Sequence, residues 1–390
     1  MKILAIETSC DETGIVVLEQ SGNTITLLGN ALASQIELHA QYGGVFPAMA
    51  KRAHAEKITL LIEQALDEAY ILDAVDARQE APDLSFLDAK ESALRDHITP
   101  FLQFYQKPDI DYIAVTVGPG LEPALWVGIN AAKALSLAWN IPIIPINHME
   151  GHIVTAAIEK INDDHYKFTD LAFPTLSLLV SGGHTELVLV NKFGEYKKIG
   201  QTRDDAVGEA FDKVARMLGL PYPGGPAISK LAAEFRGKVG PVQNNFKLPR
   251  PMIHSGDFDF SFSGIKTAAL YAIRDHGDMS DEDKMALATA FEDATIEVLV
   301  YKTIKAALEY NIQTIIVGGG VAANTYLREQ LTKAVQKNID LEGLKILFPE
   351  PWLATDNAVM IGLAAATQII SEQIKTRNPD ELRADGNLSL

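Results

Sequence analysis

The sequence predicts an α/β fold made of two related halves. Each half begins with three extended segments and continues with alternating helix-period and strand-like segments. Hairpins that lead into βα units predict a mixed sheet covered by helices, and the repeated order indicates a duplicated unit. With 47% hydrophobic residues, 390 residues suffice for two domains with buried cores. Two such units are expected to face each other across a cleft, where ligands commonly bind.

The first half contains the elements expected of one such unit. Extended segments are predicted at residues 2–7, 14–19 and 26–34, followed by a helix at 48–70, a strand at 112–118, a helix at 121–139 and a strand at 141–147. Residues 72–108 do not fit this scheme, because they are polar and acidic with weak helical periodicity over residues 88–104. We expect them to form a surface insertion.

The second half repeats this order after a polar interruption. The interruption covers residues 162–170, and the elements after it are strands at 175–180, 186–191 and 196–200, then helices, a strand at 314–317, a helix at 322–338, a strand at 345–348 and a final helix from residue 356. The predicted domains are therefore residues 1–160 with the insertion, and residues 171–390, whose last helix can pack back on the first domain.

The charge of the chain restricts how it can bind nucleic acid. A formal net charge of −17 excludes binding through a diffuse basic surface, so any such contact needs a local basic patch or a partner. Taken alone, each candidate patch is more simply explained as solvated surface charge. The candidates are Lys51, Arg52 and Lys57 on one predicted helix, and Arg236, Lys238, Lys247 and Arg250 further along.

Cysteine content and hydropathy indicate the compartment. The single cysteine, Cys10, excludes an internal disulfide and suits a reducing environment. The first residues read as a strand rather than as a signal peptide, and no apolar run is about 18 residues long. We therefore expect a soluble cytoplasmic protein that has no contact with a membrane.

A pair of histidines is the strongest indication of chemistry. His148 and His152 lie in the run IPINHMEGH, and on a helix this spacing places both imidazoles on one face, where they can bind a divalent metal. An isolated H-x-x-x-H is more simply explained by one histidine at a strand end and one on a helix surface. Asp356, before the final helix, is by default an N-cap, but its carboxylate would complete a metal site.

Glycine-rich loops after predicted strands indicate an anion site. They are SGGHT (181–185), GGGVAAN (318–324) and GPGL (118–121). Glycine lets the backbone approach an anion closely, and a helix N-terminus behind the loop adds free N–H groups. One such loop is weak evidence, whereas matching loops in a repeat predict phosphate or nucleotide binding. None of them is a Walker A loop.

The first predicted hairpin is rich in acids and hydroxyls. Asp11 and Glu12 could hold a metal or act as a base, although Asp, Thr and Gly also favour turns for purely conformational reasons. Cys10 lacks a local histidine that would activate it, so a small buried residue is the better interpretation. Asp212 falls in the middle of a predicted helix, where acids usually face solvent.

Six motifs in order resemble those of one family. They are IETSCDET (6–13), HMEGH (148–152), VSGGHT (180–185), GEAFDK (208–213), FSFSGIKT (260–267) and GGGVAAN (318–324). Together they resemble the TsaD (Gcp/YgjD) family over nearly the whole chain, apart from residues 72–108. The resemblance implies an actin-like ATPase (ASKHA) fold, built from two ribonuclease-H-like domains with mixed five-stranded sheets flanked by helices.

The resemblance also implies an activity and its partners. The reaction is transfer of the threonylcarbamoyl group from L-threonylcarbamoyladenylate to N6 of the adenosine 3′ of the anticodon, tRNA position 37. The tRNAs are those that read ANN codons, and the products are t6A and AMP. Implied partners are tRNA, a TsaB-type paralogue and a TsaE-type ATPase, with a TsaC-type enzyme making the adenylate.

Site residues follow by matching the motifs of the family. His148, His152 and Asp356 would bind one divalent metal per subunit, Fe²⁺ by preference and Zn²⁺ as the alternative. Asp11 and Glu12 would flank the reacting group as catalytic residues, and Ser229 stands where the family often has Asp or Ser. The implied adenylate ligands are Leu179, Val180, Ser181, Gly182, Gly183, Asp212, Gly225 and Asn324.

Three other functions are compatible with parts of the pattern. The same fold hosts sugar and acetate kinases, but a kinase gives no reason for paired histidines. A metalloprotease needs an activating Glu beside the metal, and this chain lacks the H-E-x-x-H placement. A non-catalytic scaffold of the same fold would be expected to lose the histidines, and this chain keeps both.

Overall fold

The computed structural model describes residues 1–88, 91–239 and 244–390, which form two units. Residues Met1–Asp170 and Thr355–Leu390 form the first unit, and Leu171–Ala354 form the second. Each unit has its own mixed sheet and its own hydrophobic core. Among the described residues, no helix is both long and apolar enough to cross a membrane.

The sheet of the first unit has seven strands among the described residues, in the order β5–β4–β1–β2–β3–β7–β6. β1, β2 and β3 pair antiparallel, whereas β4 pairs parallel with both β1 and β5. The strands are β1 (Lys2–Glu7), β2 (Glu12–Ser21), β3 (Thr24–Ser34), β4 (Tyr112–Gly118), β5 (Ile143–Asn147), β6 (Ile158–Asn162) and β7 (His165–Phe168).

The sheet of the second unit has five strands in its described part, in the order β10–β9–β8–β11–β12. Its first three strands also pair antiparallel, and β11 pairs parallel with β8 and β12. The strands are β8 (Thr175–Val180), β9 (Thr185–Lys192), β10 (Glu195–Gln201), β11 (Thr314–Gly318) and β12 (Lys345–Leu347). The first five strands of the chain have the same order, which confirms the predicted duplication.

Helices complete both units. In the first unit they are α1 (Ile36–Ala40), α2 (Pro47–Glu68), α3 (Ser92–Phe104), α4 (Glu122–Trp139) and α5 (His148–Thr155). In the second they are α6 (Val207–Met217), α7 (Gly224–Val239), α8 (Ser263–His276), α9 (Asp281–Glu309), α10 (Thr325–Lys337) and α11 (Pro351–Ala354); α12 (Ala358–Ile370) belongs to the first unit. The mixed α/β architecture is thus confirmed.

The first sheet is larger than the predicted five strands because a hairpin extends its edge. β6 and β7 pair with each other, and β7 pairs with β3. Part of the polar segment 162–170, which the sequence analysis treats as an interruption, therefore belongs to this sheet. Its residues alternate between exposed and buried, since Tyr166 and Phe168 face the core while their neighbours are exposed.

The segment 72–108 is more than a surface excursion. α3 lies within it and packs against α2 and α4. Leu94 and Ile98 of α3 are fully buried, and Phe101 and Leu102 are nearly so. The polar composition hid this core contribution because only one face of α3 is apolar.

The last helix joins the first unit, whereas the predicted boundary assigned residues 171–390 to one domain. α12 packs on α5, β1 and β2, and its residues are almost all buried. Gly362 makes this approach feasible, because a Cβ there would lie 2.3 Å from the Leu18 side chain. The packing carries the start of α12 to the end of β5.

We predict that Ile98→Ala will lower the free energy of unfolding by about 2–5 kcal/mol, because it removes a fully buried side chain from the core of the first unit. Urea unfolding of the purified chain measures this change. Leu60→Ala, on the exposed face of α2, is the control and should change stability by less than about 0.5 kcal/mol. Equal effects of the two variants would show that the insertion packs only loosely.

Candidate functional site

The two histidines lie on a short buried helix that starts directly at the end of a strand. Asn147 ends β5 and caps α5, since its side chain accepts a hydrogen bond from the Met149 N–H at 2.9 Å. His148 and His152 are therefore one helical turn apart, with ring centroids 4.7 Å apart and planes at 87°. All residues of α5 are buried, so both imidazoles point into the unit rather than into solvent.

Asp356 reaches the same point from the other end of the chain. Its Oδ1 lies 3.5 Å from His148 Nε2 and 3.2 Å from His152 Nε2. One ligand atom from each of the three residues lies within 4.8 Å of the others. The default interpretation of Asp356 as an N-cap is wrong, because Asn357 caps α12 through a hydrogen bond from the Met360 N–H.

The donor set fits a divalent metal. Among the described residues, Nδ1 of the fully buried His152 has no hydrogen-bond partner, and its Nε2 makes no well-directed hydrogen bond despite its 3.2 Å contact with Asp356 Oδ1. A buried polar group without a partner is costly, and a cation bound at Nε2 would remove that cost. Two imidazoles and one carboxylate suit iron or zinc better than magnesium or calcium. His148, His152 and Asp356 could therefore hold such an ion.

The electrostatics of the three residues are tightly linked. Burial opposes the charge on His148, but Asp356 and Glu7 outweigh it and raise the pKa of His148 to about 10. Burial likewise opposes the charge on Asp356, yet His148 and His152 hold the pKa of Asp356 well below its usual range. The carboxylate is thus ionised and attracts a positive charge, which a proton or a metal ion can supply.

A fourth residue, Glu7, orients His148. Its carboxylate is fully buried at the end of β1 and accepts hydrogen bonds from the Ser9 N–H and the Thr116 hydroxyl. Its Oε2 lies 3.3 Å from His148 Nδ1. A proton on Nδ1 would satisfy this contact and leave the Nε2 lone pair facing Asp356. The sequence analysis missed this role because Glu7 looks like the polar end of an apolar strand.

The acidic turn between β1 and β2 lies near the same carboxylate. Burial, followed by the negative charges of Asp11 and Asp356, raises the pKa of Glu12 to about 9. Two carboxyl groups in contact rarely ionise together, so the pair Asp11 and Glu12 can hold a proton. Burial and the same neighbouring acids raise the pKa of the Cys10 thiol, which makes Cys10 a poor nucleophile.

His54 on α2 fixes this turn from behind. Its Nε2–H donates to the Cys10 carbonyl at 3.0 Å, so Nδ1 accepts from the Thr13 hydroxyl at 2.7 Å. Burial lowers the pKa of His54, consistent with a neutral ring. No signal in the sequence marks this residue, because one histidine in an amphipathic helix is usually a surface residue.

In the first unit, the glycine loop 118–121 is not an open anion cradle. The Gly120 N–H donates to the Gly386 carbonyl at 3.2 Å, and the Leu121 N–H donates to the Ser9 carbonyl at 2.7 Å. The loop thus binds the C-terminal segment and the first turn of the same unit. This expectation from the sequence is wrong, since the loop's N–H groups are already engaged.

The other glycine loops meet within the second unit. The Gly208 N–H at the start of α6 donates to the Ser181 carbonyl at 3.1 Å. Gly319 has a φ of +90°, and a Cβ there would lie 2.5 Å from the Val180 carbonyl oxygen, so the loop after β11 requires glycine at this position. A Cβ added at Gly182, Gly183 or Gly225 would meet no other atom within 4 Å. These three glycines leave backbone accessible to a ligand.

Several implied adenylate ligands have structural contacts of their own. Leu179 and Val180 are fully buried in β8, so their side chains belong to the core. Asp212 Oδ1 accepts a hydrogen bond from the Gly224 N–H at 2.7 Å and so fixes the start of α7. Asn324 caps α10 by accepting from the Leu327 N–H at 2.9 Å. Asp212 is half-buried and does not simply face solvent.

Comparison with known proteins identifies the family. The model of the TsaD family, described as tRNA N6-adenosine threonylcarbamoyltransferase, matches residues 26–77 and 103–363. The unmatched residues 78–102 fall inside the insertion that the sequence analysis sets apart. The chain belongs to this family and is a transferase that modifies tRNA. Membership confirms the recognition and disfavours the kinase, protease and scaffold alternatives, while the two mixed sheets flanked by helices confirm the α/β class.

Individual relatives agree with the family assignment. Proteins named tRNA N6-adenosine threonylcarbamoyltransferase are 41% identical in Aromatoleum aromaticum, over 96% of this chain and 93% of that protein. The relative in Staphylococcus epidermidis is 43% identical over 93% of this chain and 90% of its own length. The relative in Bacillus subtilis is 41% identical over 93% of this chain and 89% of its own length. The solved structure of T. kodakarensis HypF matches 72% of this chain and 43% of its own with 15% identity and a TM-score of 0.48, which is too weak to carry an argument.

We predict that Glu7→Gln will weaken metal binding by about 10- to 100-fold, because Gln cannot hold the Nδ1 proton of His148 as a carboxylate does. Competition with a chromogenic chelator measures the dissociation constant for Zn²⁺. Glu63→Gln is the control. Glu63 is a partly buried acid of the same unit, and its carboxylate accepts a hydrogen bond from the Tyr105 hydroxyl rather than contacting a histidine. An unchanged affinity in Glu7→Gln would remove Glu7 from the site.

Proposed function

We propose that this chain transfers the threonylcarbamoyl group from L-threonylcarbamoyladenylate to N6 of adenosine 37 in tRNAs that read ANN codons. The products are t6A and AMP. The observation that carries the proposal is the convergence of His148, His152 and Asp356 in a member of a tRNA N6-adenosine threonylcarbamoyltransferase family. A kinase mechanism gives no role to that set of side chains, and a metalloprotease would also need an activating Glu in the H-E-x-x-H placement, which this chain lacks.

The adenylate is proposed to bind in the second unit. The accessible glycines at 182, 183 and 225 offer backbone to a phosphate, and Gly225 lies in the first turn of α7, where free N–H groups and the helix dipole favour an anion. Asp212 and Asn324 contribute by fixing the starts of α7 and α10. Leu179, Val180 and Ser181 contribute as the strand end that carries the loop.

The reaction needs positioning and charge stabilisation more than new covalent chemistry. The N6 amine attacks the carbamoyl carbon, so a C–N bond forms, the bond from that carbon to the phosphate oxygen breaks, and AMP leaves. One proton leaves N6. An activated mixed anhydride makes alignment the main contribution of the protein. His148, His152 and Asp356 would hold a divalent cation, proposed to be Fe²⁺ with Zn²⁺ as the alternative, which would supply Lewis-acid stabilisation of negative charge.

Asp11 and Glu12 are proposed to handle the proton from N6. Asp11 is buried and Glu12 partly buried, and burial with the charges of Asp11 and Asp356 raises the pKa of Glu12 to about 9, so that Glu12 can carry a proton beside Asp11. His54 keeps their turn in place through the Cys10 carbonyl. The sequence motif alone left their role open between metal binding, base catalysis and turn formation.

Partners are proposed from chemistry and from the family. A chain with a net charge of −17 must share the binding of tRNA with another surface, and a TsaB-type paralogue and a TsaE-type ATPase are the proposed candidates. The single cysteine and the tRNA substrate support a cytoplasmic location.

We predict that His148→Ala and His152→Ala will each lose most bound metal and lower the transfer rate by at least about 100-fold, because each removes a ligand of the ion. Metal analysis of the purified chain and incorporation of labelled threonine into tRNA, with the partners present, measure both effects. His165→Ala, on the exposed β7, is the control. Full transfer by metal-free variants would reject a role for the ion.

We predict that Asp11→Ala or Glu12→Ala will lower the maximal transfer rate by about 100-fold or more, in the range typical of general acid–base catalysis. The metal content should stay at the wild-type level, since neither residue belongs to the three converging ligands. Glu37→Ala, an exposed acid on α1, is the control. Wild-type rates in both variants would show that solvent or the substrate itself accepts the proton from N6.

A further inference from the structure

Glu292 is a fully buried carboxyl group in the middle of α9, and the sequence analysis gave it no role. Moving a carboxylate out of water costs several kcal/mol unless good partners replace the lost hydration. A buried carboxylate is therefore stable only where hydrogen-bond donors and a cation surround it. The partners of Glu292 are therefore informative about its purpose.

The two oxygens of Glu292 have separate tasks. Oε1 accepts hydrogen bonds from the Ser229 hydroxyl at 2.7 Å and from Asn324 Nδ2 at 2.9 Å. Oε2 accepts from an Arg236 N–H at 2.7 Å. One oxygen thus joins α7 to the loop before α10, and the other balances the charge.

These contacts consume the donors of the Asn324 side chain. Its Nδ2 donates to Glu292 Oε1 and, at 3.0 Å, to the Ser229 hydroxyl oxygen, while its Oδ1 caps α10. The amide therefore has one orientation, because a flip would point its oxygen at the carboxylate. Ser229, Glu292 and Asn324 form a closed triangle across three elements that are distant in sequence.

The triangle sets the distance between two glycine-rich segments. Ser229 lies one turn beyond Gly225 on α7, and Asn324 directly follows the loop that begins at Gly318. Without an acceptor at position 292, only the hydrogen bond from Asn324 Nδ2 to the Ser229 hydroxyl oxygen would remain of the triangle, and both groups would lose their shared anchor on α9. A 1 Å displacement of such a segment is enough to weaken binding of a small anion.

We infer that Glu292 is a positioning residue for the adenylate, acting through Ser229 and Asn324 rather than by touching the ligand. This inference rests on the proposed function, because it assumes that the adenylate occupies the segments around Gly225 and Asn324. Glu292 should matter for adenylate affinity and much less for the chemical step. The metal ligands lie in the first unit and should be unaffected.

Asp293 offers a matched control. It follows Glu292 directly and pairs with the same Arg236 at 2.6 Å, while the guanidinium also lies 3.6 Å from the centroid of the Tyr326 ring. Asp293 Oδ1 faces Arg236, whereas the Glu292 carboxylate faces the triangle. A variant at 293 therefore removes the same charge from the same arginine without removing the acceptor of Ser229 and Asn324.

The experiment is calorimetric titration of the purified chain with AMP, together with steady-state transfer kinetics in the complete system. Glu292→Ala should raise the Kd for AMP and the KM for the adenylate by at least about tenfold and leave kcat within about threefold, because only the binding segments lose their support. Asp293→Asn should change each value by less than about twofold. Circular dichroism verifies that the variants are folded.

A double-mutant cycle tests whether Glu292 acts through the triangle. In a Ser229→Ala/Asn324→Ala background, Glu292→Ala should add less than about a twofold further loss of AMP affinity, since its partners are already absent. A full additional tenfold loss would overturn the inference. If Glu292→Ala does not fold, Glu292→Gln, which keeps the volume and one acceptor oxygen, should still raise the Kd by about threefold or more.

The possible failures are distinguishable. If the wild-type chain binds no AMP, the adenylate site in the second unit is rejected, and the inference falls with it. If the wild type binds AMP and Glu292→Ala or its folded Gln variant binds equally well, only the role of Glu292 is rejected. Equal losses of AMP affinity in Asp293→Asn and Glu292→Ala would show that Glu292 acts only by neutralising the charge of Arg236.

Discussion

The packing of α12 against α5 and the first two strands is the constraint on which the candidate metal site depends. Besides Gly362, two glycines make this approach feasible: a Cβ at Gly151 would stand 3.0 Å from the Met360 side chain, and one at Gly14 would stand 2.7 Å from the Ala358 nitrogen. Gly151 lies between His148 and His152 on α5, so the residue that lets α12 approach α5 belongs to the same helical turn as the two metal-ligand candidates. Asp356 precedes α12, so the packing of α12 on α5 places its carboxylate beside the Nε2 atoms of both histidines.

Local patterns were sufficient to predict the elements and the histidine pair. β1, β4 and β8 follow from short apolar runs bounded by turns, and the spacing of His148 and His152 fixes one helical face without knowledge of the fold. Asp356 could be proposed as a third ligand only from its chemistry and the family resemblance. Its distance in sequence from the histidines means that only tertiary packing brings it to them.

Buried acids were the residues that sequence reasoning missed. Glu7 is the last residue of the apolar strand β1, and Glu292 is followed by a second acid in α9, so the sequence gives no sign that either carboxyl group is fully buried. What gives each its role is the set of donors around it, and those donors come from elements more than thirty residues away in most cases. The burial of one face of α3 was not predicted either, because the polar residues of its other face dominate its composition.

Four cations of the candidate basic patches already have acidic partners. Lys51 pairs with Glu91, Arg52 with Glu56 and Arg250 with Glu297. Arg236 is committed to Glu292 and Asp293 inside the second unit. A cation that is already neutralised releases few counterions from a phosphate backbone, so it adds little to the affinity for tRNA.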